Sequence, residues 1–281
     1  MEKRQRSSTC PHTRWNKLCL VRSEFVKQCR DCELIITPSL QEIDVRSLYV
    51  GGSRKHYLEY QTVYRPARLL TYKKILGRLE AFRNLNRIVD IGSSYGDFLE
   101  LARTFGWRTY GVELSSYAVH VARREKGLEV HEGDLESAGL PEGYCDVVTL
   151  WDVIEHVRDP LKLLCACNRI LRPGGAIVLK TPDARALSQN RHPLLRPLLF
   201  FYRQLAYPAN PAEHVHHFLP ATIADFLEDS GFAVNSFSFD DDWPERPLSA
   251  RFIILTWFKT ILSYVGWRLG LPYEMIVVAQ K

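Results

Sequence analysis

The stretch VDIGSSYGDFLE, Val89 to Glu100, continues an apolar strand pattern, RIVDI from Arg87 to Ile91, that stops at Gly92. A turn with a second glycine, Gly96, then leads into a segment with Phe98, Leu99 and Ala102 at helical core spacing. Glycine at such a turn lets the backbone come close to a ligand, and the helix start behind it offers unpaired N–H groups. Strand, glycine turn and helix recur in every α/β fold, so the discriminating residue is Asp90. A carboxylate there repels a pyrophosphate and suits a ligand carrying an ammonium or sulfonium charge.

Working outward, the same alternation repeats. Arg108 to Glu113 reads as a second strand, and Ser115 to Glu125 as a helix that Ser115 or Ser116 caps. Leu128 to Glu132 reads as a third strand and Asp146 to Trp151 as a fourth, its unbroken apolar run predicting burial on both faces. Asp159-Pro160 opens a helix to Leu171, Arg172-Pro173-Gly174-Gly175 breaks it, and Ala176 to Thr181 is the fifth strand. Strands alternating with helices imply a doubly wound α/β domain with a parallel sheet, whose ligand lies beyond the carboxyl ends of the strands. The residues just after each strand are therefore the candidate site.

Glu113 ends the second strand, where a carboxylate can accept both hydroxyls of a ribose. Asp134, after the third strand, can accept an exocyclic amine of adenine or be a solvated loop acid. After the fourth strand come Asp152, Glu155 and His156. Three readings fit Asp152-x-x-Glu155-His156: a divalent-metal site that His214 or His216 completes, a general base at His156 without metal, or hydrogen bonds that order the loop.

Six blocks in order carry a resemblance: VDIGSSYGDFLE, GVELS at Gly111 to Ser115, GDLES at Gly133 to Ser137, WDVIEHVRDP at Trp151 to Pro160, ILRPGG at Ile170 to Gly175, and HHFLPATIADFLEDSGF at His216 to Phe232. Between about Arg87 and Phe232 the chain resembles class I S-adenosylmethionine-dependent methyltransferases. The resemblance implies a Rossmann-like sheet of seven strands whose last is antiparallel, with Phe232 to Asp240 and Tyr273 to Gln280 as the final two. It implies that Asp90, Gly92, Ser93 and Gly96 face the methionine end of the cofactor, Glu113 and Leu114 the ribose, Asp134 and Leu135 the adenine, and Trp151 and Asp152 the floor beneath the sulfonium. Ser94 stands where the family usually has a middle glycine. A similar Glu-x-x-Glu-His arrangement in methyltransferases of ubiquinone synthesis and of small-RNA ends resembles a divalent-metal site.

The 281 residues are 46% hydrophobic and 25% charged, which excludes disorder as the main state; at about 150 residues per domain they allow one large domain plus a small module. The expected division is a Cys-containing module over 1–53, a helical linker over 54–86, and a methyltransferase domain over 87–281 with a lid insert at 183–215. In the module, Cys29-x-x-Cys32 is half a zinc site, and Cys10 with His12 lies at a suitable distance for the other half. This part is similar to a branch of methyltransferases acting on sugars and polysaccharides, which carries two Cys-x-x-Cys pairs. Here Thr13 holds the second position of the first pair, so zinc requires His12 or Cys19 as substitute. A metal-free module is the other reading. Cys145, Cys165 and Cys167 read as core thiols.

The net charge of +5 is concentrated at the start, where residues 1–30 hold eight basic side chains against Glu2 and Glu24. A solvated arm explains this better than nucleic-acid binding. No apolar run follows these basic residues, so the cytoplasm is the expected compartment. Phe252 to Leu271 is interrupted by Lys259 and Arg268, so no membrane span is expected, although Arg251 to Arg268 can lie on a membrane surface or pack on the protein. The expected activity is methyl transfer to a hydroxyl of a sugar or other small molecule, free or lipid-linked; the mixed apolar and cationic run LLRPLLFFYRQLAY at Leu194 to Tyr207 reads as a lid over an extended or amphiphilic acceptor or as a helix packed on the domain. The rivals are a metal-assisted RNA-end 2'-O-methyltransferase and a non-catalytic cofactor-binding protein.

Overall fold

The computed structural model describes residues 6–21, 24–40, 57–58, 60–61, 65–188, 214–240 and 274–281. Most of the expected lid and the stretch Arg251 to Arg268 lie outside these residues. A seven-stranded sheet is built from β4 (Arg87–Ile91), β5 (Arg108–Glu113), β6 (Val130–Glu132), β7 (Cys145–Trp151), β8 (Leu171–Pro182), β10 (Ala233–Asp240) and β11 (Glu274–Gln280). Its spatial order is β10-β11-β8-β7-β4-β5-β6. The β6-β5-β4-β7-β8 ladder is parallel and β11 runs antiparallel to both of its neighbours, as the resemblance implied. Every residue of β7 is buried, which follows from its central place between β4 and β8.

Helices α1 (Arg65–Leu79) and α2 (Asp97–Thr104) put Tyr72, Ile75, Leu76, Phe98, Leu99 and Ala102 into one core cluster. Helices α4 (Pro160–Ile170) and α5 (Pro220–Asp229) contribute Leu164, Cys167, Ile170, Ile223, Phe226 and Leu227 to a second. Ser115 caps α3 (Ser116–Arg124) by accepting from Ala118 N, and Asp159 caps α4 by accepting from Lys162 N at 2.9 Å, with Pro160 at the first helical position.

Three readings change. The third strand begins at Val130 rather than Leu128, because Leu128 turns inward to pack under Gly96. Arg172 to Gly175 ends α4 but lies inside β8 as an irregularity, since the partners jump from Cys145↔Leu171 to Val147↔Ala176. Gly175 fits there because a Cβ would come within 2.8 Å of Asp146 O. Cys165 is exposed on α4, whereas Cys145 and Cys167 are buried as expected.

A second, four-stranded sheet joins β1 (Trp15–Val21), β2 (Glu24–Cys29), β3 (Ile35–Ile36) and β9 (His216–His217), all antiparallel. Its last strand comes from the segment just before α5. Cys10, Cys29, Cys32, Leu34 and Ile36 accordingly share a core cluster with Phe218, Ile223 and Phe226.

Candidate active site

The turn after β4 needs its two glycines. Gly92 has φ +71° and a Cβ would stand 2.5 Å from Val153 Cγ2; Gly96 has φ +76° and a Cβ would meet Leu128 Cδ1 at 2.4 Å. Ser94 also has positive φ, +48°, which explains why glycine suits this position and shows that serine still makes the turn. Gly92 N and Ser93 N both donate to Val112 O, stitching the turn to β5.

Glu113 sits where the two loops meet. Its Oε2 accepts from Ser94 N at 2.7 Å and its Oε1 from Ser115 N at 2.8 Å. Burial raises its pKa, and these N–H donors pull the other way. The Leu114 N–H also donates to this carboxylate, which keeps acceptor capacity for a ligand hydroxyl. Asp90 is buried beneath, accepting from Thr149 Oγ1 at 2.6 Å. Burial pushes its carboxyl up to about 8, against the Thr149 hydrogen bond, so a cationic group beside it is the natural partner of its charge.

Asp134 caps its own turn, accepting from Ser137 N at 2.8 Å, beside the buried Leu135. Leu114 is partly exposed between Glu113 and Ser115. The Trp151 ring is buried between Tyr72 and Phe98, with centroids at 4.7 and 5.2 Å. These residues, with Ser93 and Gly96, gather at the carboxyl ends of β4, β5, β6 and β7. The glycine turn, the Glu113 carboxylate and the buried Asp90 fit a cofactor with an adenosyl group and a cationic sulfonium arm.

Beyond β7 the chain bends sharply, with Asp152 at φ +55°. Asp152 does not join Glu155 and His156 in one ligand set. It accepts from Arg68 Nη2 at 2.5 Å and faces Lys180 Nζ at 3.6 Å. These two cations hold its pKa down against burial, with His156 adding to them. Lys180 is itself buried on β8 and pairs with Glu274 at the start of β11 at 2.6 Å. Sequence reading missed this buried set of Arg68, Lys180 and Glu274. A lone lysine inside the apolar run AIVLKT was its one signal.

The groups that converge are Glu155, His156 and His214, whose potential ligand atoms all lie within 4.8 Å of one another. The two imidazoles meet edge to face at 4.5 Å. Glu155 is 1% exposed, and neither carboxylate oxygen finds a hydrogen-bond partner among the described residues. Burial raises its pKa well above the ordinary carboxylate range, and the Asp152 charge raises it further. His216 is buried on β9, its pKa lowered to about 4 by burial, and lies outside this group.

A second cluster unites Cys10, His12, Cys29 and Cys32, again within 4.8 Å. Cys10 Sγ is 3.6 Å from Cys29 Sγ, and Cys32 Sγ is 3.5 Å from His12 Nδ1. Edges of this length match a tetrahedron with metal–sulfur bonds of about 2.3 Å. Burial pushes Cys32 up to about 12, whereas N–H donors from Cys32 and Asp31 outweigh burial at Cys29 and lower it. His12 is the fourth member of this cluster, and the Cys19 side chain lies outside the described residues.

A family profile described as "Methyltransferase domain" matches residues 57–236. A Mycolicibacterium smegmatis protein named "Probable S-adenosylmethionine-dependent methyltransferase" is 30% identical over 148 residues, 52% of this chain and 52% of that protein. A "Ubiquinone biosynthesis O-methyltransferase" of Aromatoleum aromaticum is 36% identical over 101 residues, 34% of this chain and 43% of that protein. The chain spans about half the length of these curated relatives. A crystal structure of a SAM-dependent methyltransferase from Archaeoglobus fulgidus superposes with a TM-score of 0.56 at 22% identity, covering 82% of this chain and all of that one, and shows the same fold. With the profile covering well over half of its residues, the chain belongs to the methyltransferase domain family.

Proposed function

We propose that this methyltransferase moves the methyl group of S-adenosylmethionine to a hydroxyl of a sugar or another small molecule, free or lipid-linked. The cofactor supplies an electrophilic methyl on a sulfonium and leaves as a neutral thioether. Asp90 and the turn at Gly92, Ser93 and Gly96 hold its cationic arm, Glu113 and Leu114 its ribose, Asp134 and Leu135 its adenine. Trp151 and Asp152 close the floor, with Asp152 fixed by Arg68 and Lys180.

The observation that carries the oxygen acceptor is the convergence of Glu155, His156 and His214 one turn beyond that floor. A hydroxyl must lose its proton as the methyl arrives, and an imidazole at His156 can take it. The name of the Aromatoleum relative, an O-methyltransferase, points to the same acceptor atom. The test supplies radiolabelled methyl donor with a panel of sugars and lipid-linked phenols, comparing the wild type with His156→Ala. Turnover lost at unchanged cofactor affinity supports the reading; equal turnover overturns it.

One observation favours a metal-assisted variant. A buried Glu155 carboxylate without a hydrogen-bond partner is stable either protonated or beside a cation, and Glu155, His156 and His214 could together hold a divalent ion. Loss of turnover with a chelator, restored by added metal, distinguishes this from the base-only case.

We also read residues 1–53 as a module around a structural zinc held by Cys10, His12, Cys29 and Cys32, followed by the linker 54–86 and the catalytic domain 87–281. Native mass spectrometry that finds a zinc-sized mass, lost in Cys29→Ser, tests this. No described helix is long and apolar enough to cross a membrane. Action in the cytoplasm at a membrane surface is consistent with a lipid-linked acceptor, and sedimentation with vesicles checks it.

A further inference from the structure

We infer that the N-terminal Cys/His cluster controls the acceptor side of the active site through Thr37 and the short strand β9, leaving the cofactor side untouched. This rests on the zinc reading above.

The path is continuous and short. Three residues after Cys32, β3 begins and pairs antiparallel with β9, matching Ile36 to His216 and Ile35 to His217. At its end Thr37, fully buried, makes two bonds to the same segment: Thr37 N donates to Val215 O at 3.0 Å, and Thr37 Oγ1 lies 2.9 Å from His217 Nε2. The other edge of the segment belongs to the catalytic domain. Val215 N donates to Glu155 O and Ala184 N to Phe218 O, both at 2.9 Å. Residues 214–218 are therefore a strap held by the Cys module on one side and by the Glu155 turn on the other. His214, at its first position, rests against His156.

The module also packs on the strap, Leu40 against Val215 and Leu34 and Ile36 in one core cluster with Phe218. β3 and β9 are two residues each, and so small a pairing does not persist alone in water. Further ties reach α5, from Arg6 and Ser8 to Asp229 and from Ser7 beside the cluster. Ser7 Oγ donates to Cys32 O at 3.1 Å while Ser7 N donates to Asp225 Oδ2 at 2.8 Å, on the helix that follows the strap. A metal joining Cys10 and His12 to Cys29 and Cys32 would fix the loop before β1 to the turn after β2, and so fix where β3 lies. None of these bonds reaches Asp90, the glycine turn or Glu113.

The test uses the full chain and three readouts: zinc content, cofactor affinity by calorimetry, and hydrogen exchange of peptides covering 214–219 and 89–100. In Cys32→Ser, zinc loss should speed exchange at 214–219 at least tenfold, leave 89–100 unchanged, and keep cofactor affinity within twofold. Thr37→Val should keep the zinc and cofactor affinity yet lower kcat on the best acceptor about tenfold, with Thr37→Ser restoring it. If Cys32→Ser does not fold, the Thr37 pair decides alone. A wild type without zinc overturns the inference together with the zinc reading. Zinc that is lost with exchange at 214–219 unchanged, or a Thr37→Val enzyme with wild-type kcat, overturns the inference and leaves the zinc reading standing.

Discussion

The proposed cofactor half and the proposed acceptor half of this site lie at the same end of the sheet but are assembled in different ways. Asp90, Gly92, Glu113 and Asp134 fall within one stretch, residues 90–134, at the ends of the neighbouring strands β4, β5 and β6. Their geometry is largely made by backbone: N–H groups of Ser94 and Ser115 on Glu113, and N–H groups of Gly92 and Ser93 on Val112 O. On the acceptor side Arg68, Glu155, Lys180, His214 and Glu274 come from separate segments and meet through side chains. Ligand affinity should thus depend on the first group, and turnover and stability on the second.

The sharpest way to break that contrast is His156→Ala. Removing a proton acceptor should lower kcat by about 100- to 10,000-fold while cofactor affinity in calorimetry stays near wild type. A matching loss of affinity would join the halves. Next in size is Lys180→Met, which strands the buried Glu274 and weakens the hold on Asp152; denaturant unfolding should show a loss of about 3–5 kcal/mol. Glu113→Ala acts on the other half. It removes the acceptor that both loops share, and cofactor affinity should fall about 10- to 100-fold, equivalent to about 1.5–3 kcal/mol. A wild-type dissociation constant would remove Glu113 from the ribose.

The smallest effect concerns protons. With its carboxyl raised to about 8, Asp90 in the free protein is mostly protonated at neutral pH. A cationic cofactor arm favours the ionised form, so binding should release a proton and affinity should rise with pH until about 8, by no more than tenfold per pH unit. Calorimetry in buffers of different ionisation enthalpy measures the release, and Asp90→Asn should abolish it. The stability effect has the opposite sign. The native state binds the Asp90 proton more tightly than the unfolded chain, so its contribution to stability is full below about pH 4 and is lost as pH rises toward 8.

Much of the cofactor half was legible before any coordinates. RIVDI, GVELS and the run DVVTLW carried period and burial, and Asp90 stood out for its charge beside a glycine turn. The helical reading of Asp152-x-x-Glu155-His156 went astray at its first member. A turn centred on Ile154 to His156 and a positive φ at Asp152 send the first acid toward Arg68 and Lys180, and His214 takes its place in the cluster. The break expected at Arg172 to Gly175 became an irregularity of β8 because Gly174 at φ +73° and Gly175 beside Asp146 O let the chain rejoin the ladder. His12 in the cysteine cluster was a named alternative, and spacing could not choose between it and Cys19, whose side chain lies outside the described residues.

By itself the sequence determined the order and kind of the elements of the sheet, and with them which residues stand at the strand ends proposed to hold the cofactor. Period, turn chemistry and charge act over a few neighbours, and a ligand pocket at strand ends follows from local order. Only the tertiary structure decided which distant side chains gather around Asp152 and Glu155 and that β9 joins the N-terminal sheet. Those pairings depend on ion pairs and hydrogen bonds between segments far apart in the chain, and no local pattern encodes their distances.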